Sequence, residues 1–321
     1  TLWNGIFMSY LLANWTIQPL LLVLLLLTVV PYVRGWRRIH GWMPDFATGR
    51  RLALFLTGVA LLVVAMLSPL YWWSNYLLSA RSVQKVLLCM LAPPLLWLSA
   101  PLVMMRAGVP MTWRRRVRPL AAALRASDGM TAPLRQPVVT VMLFVSVFLL
   151  WHDPTMVGLS LRNNMLHVTS LWVLLVVALI YWRQIVGAGA PPGTGLGSTM
   201  SGWAAAAYLL AAEIPNMMAG VSIAFIATPL YAHYVDARSA IGPLPVTVQE
   251  DQMIAGAIVW VIGSLVYVSS IVLVVNRIFT REGGDQPVPR RTWDIDEKFI
   301  APGLEHRLTQ PDYARANWGQ D

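Results

Sequence analysis

Leu78 to Pro101 reads LSARSVQKVLLCMLAPPLLWLSAP. Arg81 and Lys85 stand near its start, and apolar sequence follows until Pro93-Pro94 interrupts it. Two cations at i and i+4 share one helix face and repel each other. Where a helix leaves a membrane, such a pair is tolerable if it snorkels or finds partners. The stretch therefore reads as a membrane span that begins at a wet boundary and is kinked or unwound where the prolines remove backbone donors.

Composition supports a membrane setting. The 321 residues are 57% hydrophobic and 12% charged, whereas soluble domains carry about 25% charged residues. That much apolar surface exceeds what a water-soluble core of this size can hide, so an integral membrane protein is expected. The net charge of +9 does not point to nucleic acid, because the basic residues lie between apolar runs instead of forming one patch. Cys89 is the single cysteine and lies in an apolar run, which excludes a disulfide framework and a CxxC motif. The first positive charge, Arg34, follows the first apolar run, so a cleavable signal peptide is not expected.

Seven spans follow from the apolar runs: 11–33, 52–70, 83–104, 138–151, 166–182, 204–230 and 253–275. The expected fold is thus all-α, a bundle of seven transmembrane helices over residues 1–280 with a polar tail at 281–321. Of the 24 Lys and Arg, all but Arg81, Lys85, Arg162 and Arg238 flank one side of this topology. The positive-inside rule then puts the N-terminus outside and the C-terminus in the cytoplasm, in a bacterial cytoplasmic membrane. Trp15, Tyr32, Trp72, Trp73, Trp151, Trp182, Trp203 and Tyr231 read as interfacial anchors. Arg34-Gly35-Trp36-Arg37-Arg38 and the 113–118 stretch WRRRVR read as segments that bind anionic lipid. GAGAPPGTGLG at 187–197 lacks the ending of a phosphate loop and reads as a connector.

On the expected outer face, the topology gathers Arg81, Lys85, His152, Asp153, Asn163, Asn164, His167, Tyr231, His233, Asp251 and Gln252. His152, His167 and His233 are candidate copper ligands, since imidazole suits copper. The alternative is that each is an interfacial histidine hydrogen-bonded to a neighbour. Asp251, in the first turn of the last span, reads as a helix-start carboxylate or as a partner for Arg81 or Lys85. Gly256, with Ala255 and Gly263, lets another helix come close. Glu213 lies within a span beside Pro215, as a proton-relay carboxylate or an acid hydrogen-bonded into the bundle.

Several fragments taken together resemble the caa3-type cytochrome c oxidase assembly factors, the CtaG family. They are Leu78-Ser79-Ala80, Val83-Gln84, Leu87-Leu88 and Ala92-Pro93-Pro94-Leu95, then Trp151-His152-Asp153-Pro154. His167, Tyr181-Trp182, Pro229-Leu230-Tyr231, Tyr234, Asp251-Gln252, Ala255-Gly256 and Trp260 complete the set. The resemblance covers most of 52–278 and leaves out the tail. It implies histidines at the two positions held here by Arg81 and Lys85, a pair that would make a copper site on one helix face. Two cations there repel copper, and asparagines precede His167 where a second histidine would complete another pair.

The resemblance and the substitution together imply a non-catalytic accessory or assembly protein of a haem-copper oxidase. It would act through helix–helix contacts with oxidase subunits, with no cofactor, no nucleic acid and no small-molecule substrate. A copper-delivery factor using the three histidines is the alternative. An ion or proton transporter built on Glu213 is a further one, which the lack of a second deep acid and of an inverted repeat disfavours. No nucleophile–base constellation or cofactor fingerprint points to an enzyme.

Overall fold

The computed structural model describes residues 14–113, 115–116, 136–188, 200–239, 244 and 246–284. Among these, every regular element is helical. In chain order they are α1 (Pro19–His40), α2 (Gly49–Met66), the short α3 (Pro69–Trp73) and α4, which runs Leu78–Val86, Leu87–Leu91 and Ala92–Leu98. Then come α5 (Pro101–Gly108), α6 (Pro137–Leu150), α7 (Pro154–Arg162), α8 (Asn164–Ala188), α9 (Gly202–Phe225) and α10 (Ala232–Ser239). The last, α11, runs Val248–Ala257, Ile258–Ile262 and Gly263–Gly284. The chain divides into two compact units, Thr1–Arg277 and Ile278–Asp321. Of the second, only 278–284 is described, so the expected polar tail lies almost wholly outside the described residues.

Five of these helices are long and apolar enough to cross a membrane, and the number rises to seven if each of two bent pairs counts as one span. The bent pairs are α4 with α5, at 60°, and α6 with α7, at 68°. Each of the seven expected apolar runs coincides with one of these helices or pairs, but the boundaries move. The first helix reaches His40 through Pro31, so Arg34, Arg37 and Arg38 are helical and not a loop. The sixth ends at Phe225, so 226–230 is irregular chain. The third begins at Leu78, which puts Arg81 inside it together with Lys85. Of the 113–118 stretch only residues 113, 115 and 116 are described, and most of 187–197 lies outside the described residues.

The prolines shape α4. Pro93 has no N–H to give the Cys89 carbonyl, four residues earlier. The helix widens into a π turn at Leu87–Leu91, and the Trp182 indole N–H from α8 donates to the Cys89 carbonyl at 2.7 Å. The Trp97 indole donates to the Leu179 carbonyl of α8 at 2.8 Å. The bend into α5 passes through Ala100 at φ 54°, the only non-glycine residue with positive φ among those described. The α-helical region is disfavoured before Pro101, and the left-handed region costs an alanine roughly 1–2 kcal/mol.

The end of α2 shows how completely the backbone is satisfied. A helix leaves its last four carbonyls without internal partners, and in lipid no water replaces them. Here the Val64 carbonyl accepts from Ser68 Oγ. The Ala65 carbonyl accepts from Gln84 Nε2 at 2.6 Å and the Met66 carbonyl from Gln18 Nε2 at 3.1 Å. The Leu67 carbonyl accepts from the Thr16 N–H at 2.9 Å.

Two helix crossings depend on glycine. A Cβ on Gly108 would lie 1.7 Å from the Pro31 carbonyl oxygen, and one on Gly35 equally near that of Met104, so α1 and α5 meet backbone to backbone. A Cβ on Gly256 would lie 2.4 Å from the Ala224 nitrogen, which sets the approach of α9 to α11. Small residues permit this contact, which drives helix association in lipid where the hydrophobic effect does not.

The aromatic residues divide. Trp15 and Trp203, 60% and 59% exposed, suit interfacial anchors, whereas Tyr32, Trp73, Trp151, Trp182 and Tyr231 are buried and their anchoring role is corrected. The Tyr32 hydroxyl donates to the Ser99 carbonyl at 3.0 Å. Trp182 serves the proline break.

Candidate functional site: a buried cationic centre beside a satisfied carboxylate

Arg81 and Lys85 lie on one face of α4, one helical turn apart. They are 2% and 5% exposed, so neither snorkels to a wet boundary, and that expectation is corrected. The cover comes from elements distant in sequence. Lys85 Nζ donates to the Trp151 carbonyl, at the C-terminal end of α6. That end carries the negative pole of the helix, which favours an ammonium. Arg81 Nη2 donates to Ser160 Oγ on α7. Arg81 Nε and Nη1 are buried and meet no acceptor. Among the described residues, no carboxylate comes within ion-pairing distance of either cation.

His152 and His167 join this centre, each within electrostatic range of both cations. His152 Nδ1 donates to the Phe148 carbonyl at 2.7 Å, and its Nε2 is buried without a partner. His167, 1% exposed, stacks on Tyr71 with ring centroids 4.9 Å apart, and its Nε2 also has no partner. The nearby tyrosine hydroxyls are committed. Tyr71 donates to Asn164 Oδ1 at 2.9 Å, Tyr231 to the His152 carbonyl at 2.7 Å and Tyr234 to the Ser74 carbonyl at 2.9 Å. Asn163 caps the start of α8 by accepting from the Met165 N–H at 3.0 Å. Asp153 caps α7 by accepting from the Thr155 and Met156 N–H groups at 2.9 and 3.1 Å. Pro154 takes the first helical position, where a missing N–H costs nothing.

His233 stands apart on α10, part-exposed. Partial burial, and then the Arg162 charge, push its imidazole below the ordinary histidine range. The three histidines therefore do not form one set.

Asp251 does neither thing expected of it. Its own helix is capped by Thr247 and Glu250, in a capping box. Asp251 instead reaches across and caps α4, accepting from the Leu78 N–H at 2.7 Å, the Ser79 N–H at 3.2 Å and Ser79 Oγ. Its ion pair is with Arg238 at 2.9 Å, not with Arg81 or Lys85. Gln252 ties down the irregular chain after α9, accepting from the Leu230 N–H at 2.7 Å and donating to the Thr228 carbonyl at 3.3 Å. The Asp-Gln pair thus holds two other segments, which single-span reasoning could not show.

Deeper in the bundle, Glu213 accepts from Ser264 Oγ on α11 and from Asn216 Nδ2 at 3.2 Å. Asn216 Nδ2 also reaches the Val259 carbonyl at 3.4 Å, in the second π turn. A Cβ at Gly263 would lie 2.5 Å from the Asn216 amide, so that glycine makes room for it. Trp260, on the same turn, has its ring centroid 6.3 Å from that of Phe225.

Copper does not fit the buried centre. Its open donors are two imidazole nitrogens with an arginine and a lysine beside them. Among the described residues, no group of three or more His, Cys, Asp or Glu is placed to hold a metal ion.

The helices and the buried polar centre define an all-helical transmembrane protein. Residues 30–281 match the family described as cytochrome c oxidase caa3 assembly factor (Caa3_CtaG), and the chain belongs to that family. The match takes in the second half of α1, which lies ahead of the fragments that carried the resemblance. No curated protein and no solved structure matches the chain.

Proposed function

We propose that this protein is a non-catalytic accessory subunit of a haem-copper cytochrome c oxidase, which acts in assembly by helix–helix contact and stays with the mature complex. The observation that carries this reading is the replacement at the buried centre. Where the family resemblance implies a histidine pair, the chain has Arg81 and Lys85, each bonded into neighbouring helices. Lys85, bonded to the end of α6, ties α4 to that helix, and neither cation offers a lone pair to a copper ion. Wide exposed apolar faces, including Leu20, Leu26 and Leu27 on α1 and Val268 and Val272 on α11, are available to lipid or to oxidase helices.

The reading includes seven spans, each bent pair crossing once, with the N-terminus outside and the C-terminus in the cytoplasm of a bacterial inner membrane. A cavity of about 750 Å³ lined by Arg34, Arg37, Arg38, Gly108 and Met111 would then face the cytoplasm, where anionic headgroups are attracted to basic residues.

The test is gentle solubilisation of the native membrane followed by identification of what stays bound. Oxidase subunits retained in a fixed ratio are expected. Recovery free of oxidase subunits, or stoichiometric copper that is lost on His152→Ala or His167→Ala, would overturn the proposal in favour of a separate factor or of copper delivery.

A further inference from the structure

We infer that the buried centre around Arg81 and Lys85 is a binding site for a small inorganic anion of halide size. The inference goes beyond the proposed function and does not depend on it. Burying an unpaired cation is strongly unfavourable even after the surroundings relax. Here two share a helix face one turn apart, both more than nine-tenths buried, with no carboxylate in ion-pairing distance among the described residues. Neutral oxygens take only part of their hydrogen-bonding capacity, Ser160 Oγ from Arg81 and the Trp151 carbonyl from Lys85.

What is left over has the chemistry of an anion cradle. Arg81 Nε and Nη1 are two adjacent donors on one planar guanidinium, buried and without an acceptor. Lys85 brings further ammonium donors one turn along. His167 Nε2, also unpartnered, lies within electrostatic range of both. The Tyr71 and Tyr231 hydroxyls donate to Asn164 and the His152 carbonyl, while Tyr234 donates to the Ser74 carbonyl and offers its oxygen to the Arg81 guanidinium, a neutral partner that leaves the charge of the centre unbalanced. The carboxylates at this end are already committed, Asp251 to Arg238 and the start of α4, and Asp153 to the start of α7. Ser160, the Trp151 carbonyl and His167 bring α7, α6 and α8 over the two cations, so a group with a bulky tail would have to open the bundle. An anion there would neutralise one cation and give the free guanidinium donors an acceptor.

The experiment uses the full chain in detergent, first exchanged into gluconate at fixed ionic strength. Radiolabelled chloride is measured by equilibrium dialysis, and thermal unfolding is followed as chloride or bromide replaces gluconate. Saturable binding of one chloride per chain is expected, with an unfolding temperature that climbs and then levels as the halide rises. Arg81→Gln should weaken halide binding roughly tenfold or more, the ratio that goes with losing a charge-assisted hydrogen bond. Arg162→Gln, a charge change on the same end of the bundle, should leave binding unchanged. If Arg81→Gln fails to fold, Lys85→Gln and the wild-type titration carry the test. No saturable chloride binding, a halide response matched by gluconate, or binding that survives both Arg81→Gln and Lys85→Gln would each overturn the inference. Protection by phosphate or by an acidic peptide in place of chloride would overturn it as well, and would assign the cradle to a larger oxyanion or to a partner's carboxylate.

Discussion

Two charged centres lie at the same end of the bundle, both anchored on the first turns of α4, and they are built in opposite ways. At Asp251, a carboxylate 1% exposed meets a guanidinium, two backbone N–H groups and a hydroxyl. At Arg81 and Lys85, two cations meet neutral oxygens only, and several donors are unused. The first centre is closed in charge, and its carboxylate is hydrogen-bonded to the start of α4, so its work is to hold α4, α10 and α11 together. The second is open on both counts, and that marks it as a site.

The sharpest way to break this contrast is to remove one charge from each centre. Asp251→Ala leaves Arg238 buried and strips the cap from α4, and is expected to cost about 3–5 kcal/mol. Arg81→Met, measured in gluconate, removes a charge that nothing among the described residues balances, and is expected to be neutral or stabilising. Reversible unfolding in mixed micelles reads both. Equal losses in the two variants would erase the distinction between the centres.

An intermediate effect tests whether backbone satisfaction, and not charge alone, fixes α4. Trp182→Phe keeps an aromatic ring but leaves the Cys89 carbonyl unmet beside Pro93, at an expected cost of about 1–3 kcal/mol. Unfolding measurements on the same footing check it, and an unchanged stability would mean that the π turn supplies another donor.

The smallest effect concerns His233, outside both centres. Its pKa lies below the ordinary 6.5 in the folded protein, so the unfolded chain takes up a proton more readily than the folded one. Stability contributed by the neutral ring is complete above about pH 6.5 and falls as pH drops below it. His233→Asn should flatten that slope below about pH 6.5, and a slope identical to wild type would remove His233 as its source.

Much of the helical plan was legible because apolar runs of this length have few other uses. Burial at Arg81 and Lys85 was not. Seen along the chain, cations before an apolar run look like a wet boundary, and only the approach of α6, α7 and α8 turns that boundary into an interior. Asp251 misled for a related reason: a carboxylate in a first turn reads as serving its own helix, yet Thr247 and Glu250 already do that. Trp182 looked like an interfacial anchor, but its indole was demanded elsewhere. The signal that could have found this was Pro93 itself, since a proline leaves an acceptor four residues back that some distant donor must fill.

That arrangement has a consequence for how the chain is made. The Cys89 carbonyl enters the bilayer long before the ribosome has produced Trp182, its partner. Until α8 arrives, the third apolar segment carries an open acceptor in hydrocarbon, so nascent chains stopped short of residue 182 should be held by an insertase or destroyed by membrane quality control.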